Sequence, residues 1–165
     1  MSKGRRNNPL NAFTGEWTIE ATFPGAGAGG HAVFEWVLGG QYLVERSEVP
    51  GAPDSIAIVT IDPDKESYTQ HYFDSRGVVR VYAMTFSGGV WTLSRASPDF
   101  TPLDFWQRFK ATFSEDGNTI NGAWENSEGG AHWEHDFDLT YTKVKPKAQG
   151  AARQSDRKPT RKKVS

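Results

Sequence analysis

One strand–turn–strand stretch decides the fold: residues 67–86 read SYTQHYFDSRGVVRVYAMTF. Polar and apolar side chains alternate on both sides of residues 74–77, as they do in two β-strands joined by a tight turn. A glycine ends this turn, where a hairpin with a bulge needs a left-handed residue. The resulting register places four side chains on one face of the hairpin, with Tyr72 opposite Arg80 and Gln70 opposite Tyr82.

The same pattern of short alternating runs and turn signals recurs along the chain, and no convincing helix interrupts it. Strands are predicted at residues 16–23, 31–38, 41–49, 55–62, 67–74, 78–86, 90–96, 104–113, 118–125 and 131–144. Successive hairpins form a meander, and a ten-stranded meander closes on itself because an open sheet leaves two unpaired edges. The sequence therefore predicts an all-β fold, a ten-stranded antiparallel up-and-down barrel.

The charge of the chain is unevenly distributed. The formal net charge is −1 over 165 residues, yet the last 21 residues carry eight basic side chains against one acidic side chain. We expect a barrel domain over residues 1–144 and a basic, disordered tail over residues 145–165, because a charged segment without aromatic residues cannot bury enough surface to fold. The tail is interpreted as a solvated extension, with weak contact to nucleic acid as the alternative.

Composition excludes several classes of site. The chain has no cysteine, which excludes disulfides, a thiolate nucleophile and cysteine-ligated metals. No apolar run approaches the roughly 18 residues of a membrane span, and no apolar run follows the basic residues near the N-terminus. We therefore expect a cytoplasmic protein without a membrane span. Its oligomeric state stays open.

Alternation also assigns the side chains that face the barrel lumen. The predicted ligand-binding residues are Gln70, Tyr72, Arg80, Tyr82, Arg95, Gln107, Trp124, His135 and Tyr141. An unpaired guanidinium in a dry core costs several kcal/mol. Three interpretations follow for Arg80 and Arg95: a wrong register for their strands, a wet lumen that holds a polar or anionic ligand, or ion pairs in the barrel wall with Glu35, Glu45 or Glu48.

Short motifs add a resemblance to known families. Residues 11–17, with Gly15 and Trp17 as predicted structural residues, resemble the opening of the calycin barrels, in which a Gly-x-Trp turn leads into the first strand and the indole plugs one end. Longer phrases at 34–40, 72–77, 116–120 and 133–141 resemble the DUF1579-type family of uncharacterised bacterial proteins over nearly all of residues 8–144. The resemblance implies a calycin-like barrel, similar to lipocalins and fatty-acid-binding proteins.

The sequence departs from the patterns of two other barrel families, the intracellular fatty-acid-binding proteins and the nitrobindins. Residues 141–144 resemble the last strand of intracellular fatty-acid-binding proteins, but Leu139 stands where those proteins carry an arginine, and their helical lid is missing. Nitrobindins, which are haem barrels, carry a late histidine on the iron. His135 is the matching histidine here, although residues 18–20 lack the nitrobindin glycine pattern.

No catalytic motif is present. The chain has neither a nucleophile elbow nor a phosphate loop, and His132 and His135 lie on opposite faces of a strand, so they cannot chelate one metal ion. We expect a non-enzymatic binding protein for a small hydrophobic or amphipathic molecule, including an anionic one, with no cofactor. Two alternatives stay open: a haem barrel with His135 as axial ligand, and a lumen isomerase or cyclase that uses His135 with Tyr72 or Arg80.

The first prediction concerns the basic tail. Deletion of residues 147–165 should leave the melting temperature nearly unchanged, since this segment adds no core residue. If the full-length protein binds nucleic acid, the affinity should fall steeply with salt and vanish on truncation, as counterion release requires. A truncated protein that unfolds would contradict the predicted domain boundary.

Overall fold

Ten antiparallel strands form a closed barrel in the computed structural model, which describes residues 7–64 and 67–146. The strands are β1 (Gly15–Ala21), β2 (Gly30–Val37), β3 (Tyr42–Glu48), β4 (Ser55–Asp62), β5 (Ser67–Asp74), β6 (Val79–Ser87), β7 (Val90–Arg95), β8 (Trp106–Phe113), β9 (Thr119–Ser127) and β10 (Glu134–Lys143). Each strand pairs with its sequence neighbours, and β1 closes the barrel against β10. The predicted fold class is confirmed.

Two short 3₁₀ helices, Pro9–Phe13 and Leu38–Gly40, complete the described secondary structure. No helix within residues 7–64 and 67–146 has the length and apolar character needed to cross a membrane. Most of the predicted basic tail, residues 147–165, lies outside the described residues.

The hairpin of β5 and β6 has the predicted register. Tyr72 pairs with Arg80 and Gln70 pairs with Tyr82. The turn needs glycine at its last position, because Gly77 has a φ of +79°, which side chains disfavour. The hairpin therefore aims its polar and aromatic side chains into the barrel as expected.

The N-terminal 3₁₀ helix closes one end of the barrel. Its last residue, Phe13, places its ring 4.9–5.4 Å from the rings of four other aromatic residues, which are Phe34, Phe86, Trp91 and Phe113. The fully buried Trp17 donates its indole N–H to the carbonyl oxygen of Phe13 at 2.7 Å. Gly15, with a φ of +117°, makes the sharp entry into β1. This end is filled by aromatic side chains, and we call it the closed end.

A loop covers the edge of β6 at the opposite, open end. β7 ends at Arg95, so the N–H groups of Val79 and Val81 have no strand partner on that side. The Asp99 carboxylate accepts the N–H of Val81 at 2.9 Å, and the Thr101 hydroxyl accepts that of Val79 at 3.2 Å. Residues 96–105 therefore continue the sheet with side-chain hydrogen bonds.

Arg95 has the predicted inward face, but it anchors this loop instead of lining the cavity. Its guanidinium donates to both carboxylate oxygens of Asp99, at 2.7 and 2.9 Å, and to the carbonyl oxygens of Thr101 and Pro102. Arg95 is buried but does not line the lumen cavity. The prediction placed it against the ligand because alternation gives the direction of a side chain and says nothing of a partner in the following loop.

His135 also departs from its predicted position. His135 pairs with Glu125, whereas Phe137 pairs with Trp124, so Asp136 is an extra residue in β10. This β-bulge interrupts the alternation of faces. The His135 side chain is 56% exposed and bonds Asp138 at 2.8 Å, so its predicted lumen position is wrong.

The second prediction tests the loop anchor. Asp99→Asn should destabilise the fold by roughly 3–5 kcal/mol, because it leaves the buried Arg95 charge unpaired. The matched control is Glu35→Gln, which breaks the exposed pair with Arg46 and should cost less than about 1 kcal/mol. Urea denaturation measures both values. Similar small losses in the two variants would contradict the anchoring role of Asp99.

Candidate ligand-binding site in the barrel lumen

The lumen is hollow towards the open end. A cavity of about 420 Å³ lies above the aromatic closed end, and all strands from β3 to β10 contribute to its wall. Loop residues form the rim, among them Phe23, Gly51, Arg76 and Phe105. The plugged end makes this space a blind pocket that opens between the loops.

Seven of the nine predicted ligand-binding residues line this cavity. They are Gln70, Tyr72, Arg80, Tyr82, Gln107, Trp124 and Tyr141. Arg95 and His135 do not line it, for the reasons given above. The strand register thus brings together residues that lie up to 71 positions apart in the chain.

Aromatic rings form one wall. The Trp124 ring lies 5.5 Å from the Tyr82 ring and 5.1 Å from the Phe109 ring. Gly122 permits this packing, because a Cβ at that position would lie 2.5 Å from the tip of Phe109. The wall offers ring faces and edges to the apolar body of a ligand.

A polar cluster, which we call the cationic corner, consists of Arg80, Tyr82 and Gln107. The Gln107 carbonyl oxygen accepts hydrogen bonds from the Arg80 guanidinium at 3.2 Å and from the Tyr82 hydroxyl at 3.0 Å. No carboxylate in the described part of the chain lies within ion-pair distance of Arg80. Its buried Nε also has no hydrogen-bond partner there. The lumen therefore holds a guanidinium that has no direct ion-pair partner among the described residues.

A second arginine, at the rim, is neutralised. Arg76 donates to the Asp74 carboxylate at 2.7 Å, and this bond lowers the pKa of Asp74 to about 2. The same carboxylate accepts the Tyr72 hydroxyl at 3.0 Å, and burial together with this bond raises the pKa of Tyr72. Arg76 at the rim thus differs from Arg80 because it forms an ion pair with a carboxylate.

Glu45 and Tyr141 form a second polar group in the cavity. The Tyr141 hydroxyl donates to Glu45 Oε1 at 3.3 Å, and both side chains are buried. Burial raises the pKa of Glu45 to about 7, although the hydrogen bond from Tyr141 opposes this shift. Burial raises the pKa of Tyr141 as well.

Glu45 was not predicted as a site residue. Sequence analysis considered it only as an ion-pair partner for a lumen arginine, and the structure gives it a tyrosine instead. On β3 the buried Val44 faces outward while Glu45 faces inward, so polarity does not distinguish the two faces. The hydrogen bond between Tyr141 and Glu45 joins distant strands, so the sequence around Glu45 does not indicate it.

The glycine-rich loop at residues 22–29 forms part of the rim. Gly27 donates its N–H to the carbonyl oxygen of Pro50 at 2.8 Å, and the Phe23 ring lies 5.5 Å from that of Phe137. The glycine-rich loop therefore packs against the loop that joins β3 and β4, at the mouth of the cavity.

The cavity does not fit the predicted haem alternative. All four histidines lie in the described ranges, and none of them lines the cavity. His135, the predicted axial ligand, lies on the outer surface. No cluster of His, Asp and Glu that could hold a metal ion occurs within residues 7–64 and 67–146.

Comparison with known proteins does not assign the chain to a family. No protein-family model matches it, and no curated protein matches it at a significant level. The proposals below therefore rest on the geometry of the lumen.

The third prediction follows from the buried Glu45 carboxyl. Its pKa of about 7, against 4.5 for the free group, means that the folded state binds a proton more tightly than the unfolded state. The free energy of unfolding should therefore fall as the pH rises from 4.5 and level off above 7, by about 3 kcal/mol in total. Glu45→Gln should remove most of this fall, which urea denaturation at several pH values measures.

The matched control is Glu48→Gln, on the exposed face of the same strand. This variant should keep the pH dependence of the wild type. If Glu45→Gln shows the wild-type slope, Glu45 is not held in its neutral form by burial.

Proposed function

We propose that this protein binds a small amphipathic molecule with an acidic group in the barrel lumen, and that it acts as a binding protein rather than an enzyme. One observation carries the proposal: Arg80 faces an aromatic cavity and lacks a carboxylate partner among the described residues. An anionic ligand supplies the missing charge and accepts hydrogen bonds from the guanidinium.

A purely structural role accounts less well for Arg80. Gln107 offers it one neutral acceptor at 3.2 Å, while its Nε stays unsatisfied. A buried donor without a partner costs about 1–3 kcal/mol. An apolar side chain of similar length would fill the same wall without that cost, so the guanidinium is best explained by a ligand.

The size and lining of the cavity define the rest of the ligand. A volume of about 420 Å³ falls within the range of small-molecule sites. Trp124, Phe109 and Leu93 supply apolar surface. The ligand is thus a compact molecule with an apolar body and one acidic end.

The other functions considered from sequence depended on His135. With that side chain on the outer surface, a lumen isomerase or cyclase loses the acid–base group assigned to it, and haem loses its axial ligand. We keep the resemblance to the DUF1579 family and a bacterial, cytoplasmic setting as proposals. The cysteine-free composition supports the reducing compartment.

The fourth prediction tests the cationic corner with two fluorescent probes. Anilinonaphthalene sulfonate and N-phenylnaphthylamine share one ring skeleton, and only the first carries an anionic group. Arg80→Met should weaken binding of the sulfonate by about tenfold to a hundredfold, because a hydrogen bond to a charged group contributes about 1.5–3 kcal/mol. The affinity for the neutral probe should change little.

The control variant is Arg46→Met, which removes an exposed arginine on the outer wall. It should leave the affinity for both probes unchanged. Equal loss of both probes in Arg80→Met would indicate a damaged cavity, and an unchanged sulfonate affinity would refute the role of Arg80.

A further inference from the structure

Glu45 is the lumen group that an anionic ligand leaves unexplained. Tyr141 is its hydrogen-bond partner among the described residues, and that bond occupies Oε1. Oε2 has no partner in the same part of the chain, although Glu45 lines the cavity. Oε2 is not among the described buried atoms that lack a partner, so it is open to the cavity, where a ligand or water can donate to it.

One oxygen of this carboxyl accepts the hydrogen bond of the buried Tyr141 hydroxyl, and the second oxygen has no such role. Tyr141 packs against the rings of Trp17, Phe34 and Trp91, so its position is set by aromatic contacts. No cation among the described residues pairs with Glu45. The second oxygen of Glu45 therefore has no role in the described packing.

The strand register fixes how Glu45 and Arg80 relate to each other. Glu45 pairs with Ala57, Ala57 pairs with Tyr72, and Tyr72 pairs with Arg80, so the two charged residues lie on one row across four strands. Three strand spacings separate their Cα atoms by at most about 14 Å along the wall. Both side chains point inward, which shortens the distance between their polar ends. The small side chain of Ala57 leaves room between them.

We infer that Glu45 is a second ligand-binding residue, which accepts a hydrogen bond from a hydroxyl group at the end of the ligand opposite its acid. The inference rests on the proposed function, since Arg80 holds the acidic end. The separation of the two groups fits one aromatic ring with a short acidic side chain, and the aromatic wall of the cavity fits the ring. The ligand class is therefore a small hydroxyaryl carboxylic acid.

Two commercially available acids test this inference by calorimetric titration. Para-hydroxyphenylpropanoate and phenylpropanoate differ by one hydroxyl group. The wild-type protein should bind the hydroxylated acid roughly tenfold more tightly, as expected for one hydrogen bond to a buried carboxyl. Glu45→Met should abolish this preference, because it leaves no acceptor for the hydroxyl group at this position.

Two further variants keep the test informative. Tyr141→Phe should retain the preference, because Glu45 keeps its acceptor oxygens, whereas loss of the preference would assign the contact to the tyrosine. Glu45→Gln should retain part of the preference, since the amide still offers an oxygen. Thermal melting checks that each variant is folded.

The outcomes separate the two proposals. Equal affinity of the wild type for both acids, or a preference that persists in Glu45→Met, overturns the role of Glu45 even if Arg80→Met weakens both acids. If neither acid binds while the sulfonate probe binds through Arg80, the proposed function stands and the hydroxyaryl acid is refuted. If Arg80→Met has no effect on any anionic probe, the proposed function fails.

Discussion

The aromatic plug around Phe13 is the interaction on which the lumen depends. The Phe13 ring contacts four other aromatic rings, and the indole N–H of Trp17 donates a hydrogen bond to the Phe13 carbonyl oxygen. These contacts fill one half of the barrel with side chains and leave the other half hollow. Because the plugged end excludes water from below, polar groups above it must be satisfied by one another, by water from the open end or by a ligand.

The two inward arginines show how differently the barrel treats the same residue type. Arg95 donates four hydrogen bonds to a carboxylate and two carbonyl groups, and its loop is thereby folded over the edge of β6. Arg80 donates one hydrogen bond to an amide. The fold thus pairs the Arg95 guanidinium with a carboxylate and leaves the Arg80 guanidinium without one. The contrast therefore favours a ligand-related reason for the exposed charge of Arg80 in the cavity.

Much of this arrangement could be predicted from local sequence. The turn at residues 74–77 sets the register of β5 and β6, and strict alternation then brings Gln70, Tyr72, Arg80 and Tyr82 into the lumen. Alternation failed at His135, because an inserted residue in β10 reverses the faces and leaves no clear mark in the sequence. Alternation gave the correct inward face for Arg95, but it could not show that a loop carboxylate pairs with this residue, nor that Glu45 pairs with Tyr141 from a distant strand.

The separation of Glu45 from Arg80 gives the lumen its chemical character. With Ala57 and Tyr72 between them in the row, the acid and the guanidinium do not form an ion pair. Burial raises the pKa of the Glu45 carboxyl to about 7, so about half of it is neutral at neutral pH, and the neutral form costs less to bury than the charged form. The acidic group of the proposed ligand would pair with Arg80. Glu45 would then contribute to selectivity through one hydrogen bond. Under the proposed function, such a lumen would discriminate ligands first by charge and then by one hydrogen bond, because the carboxyl would penalise an apolar group placed against it.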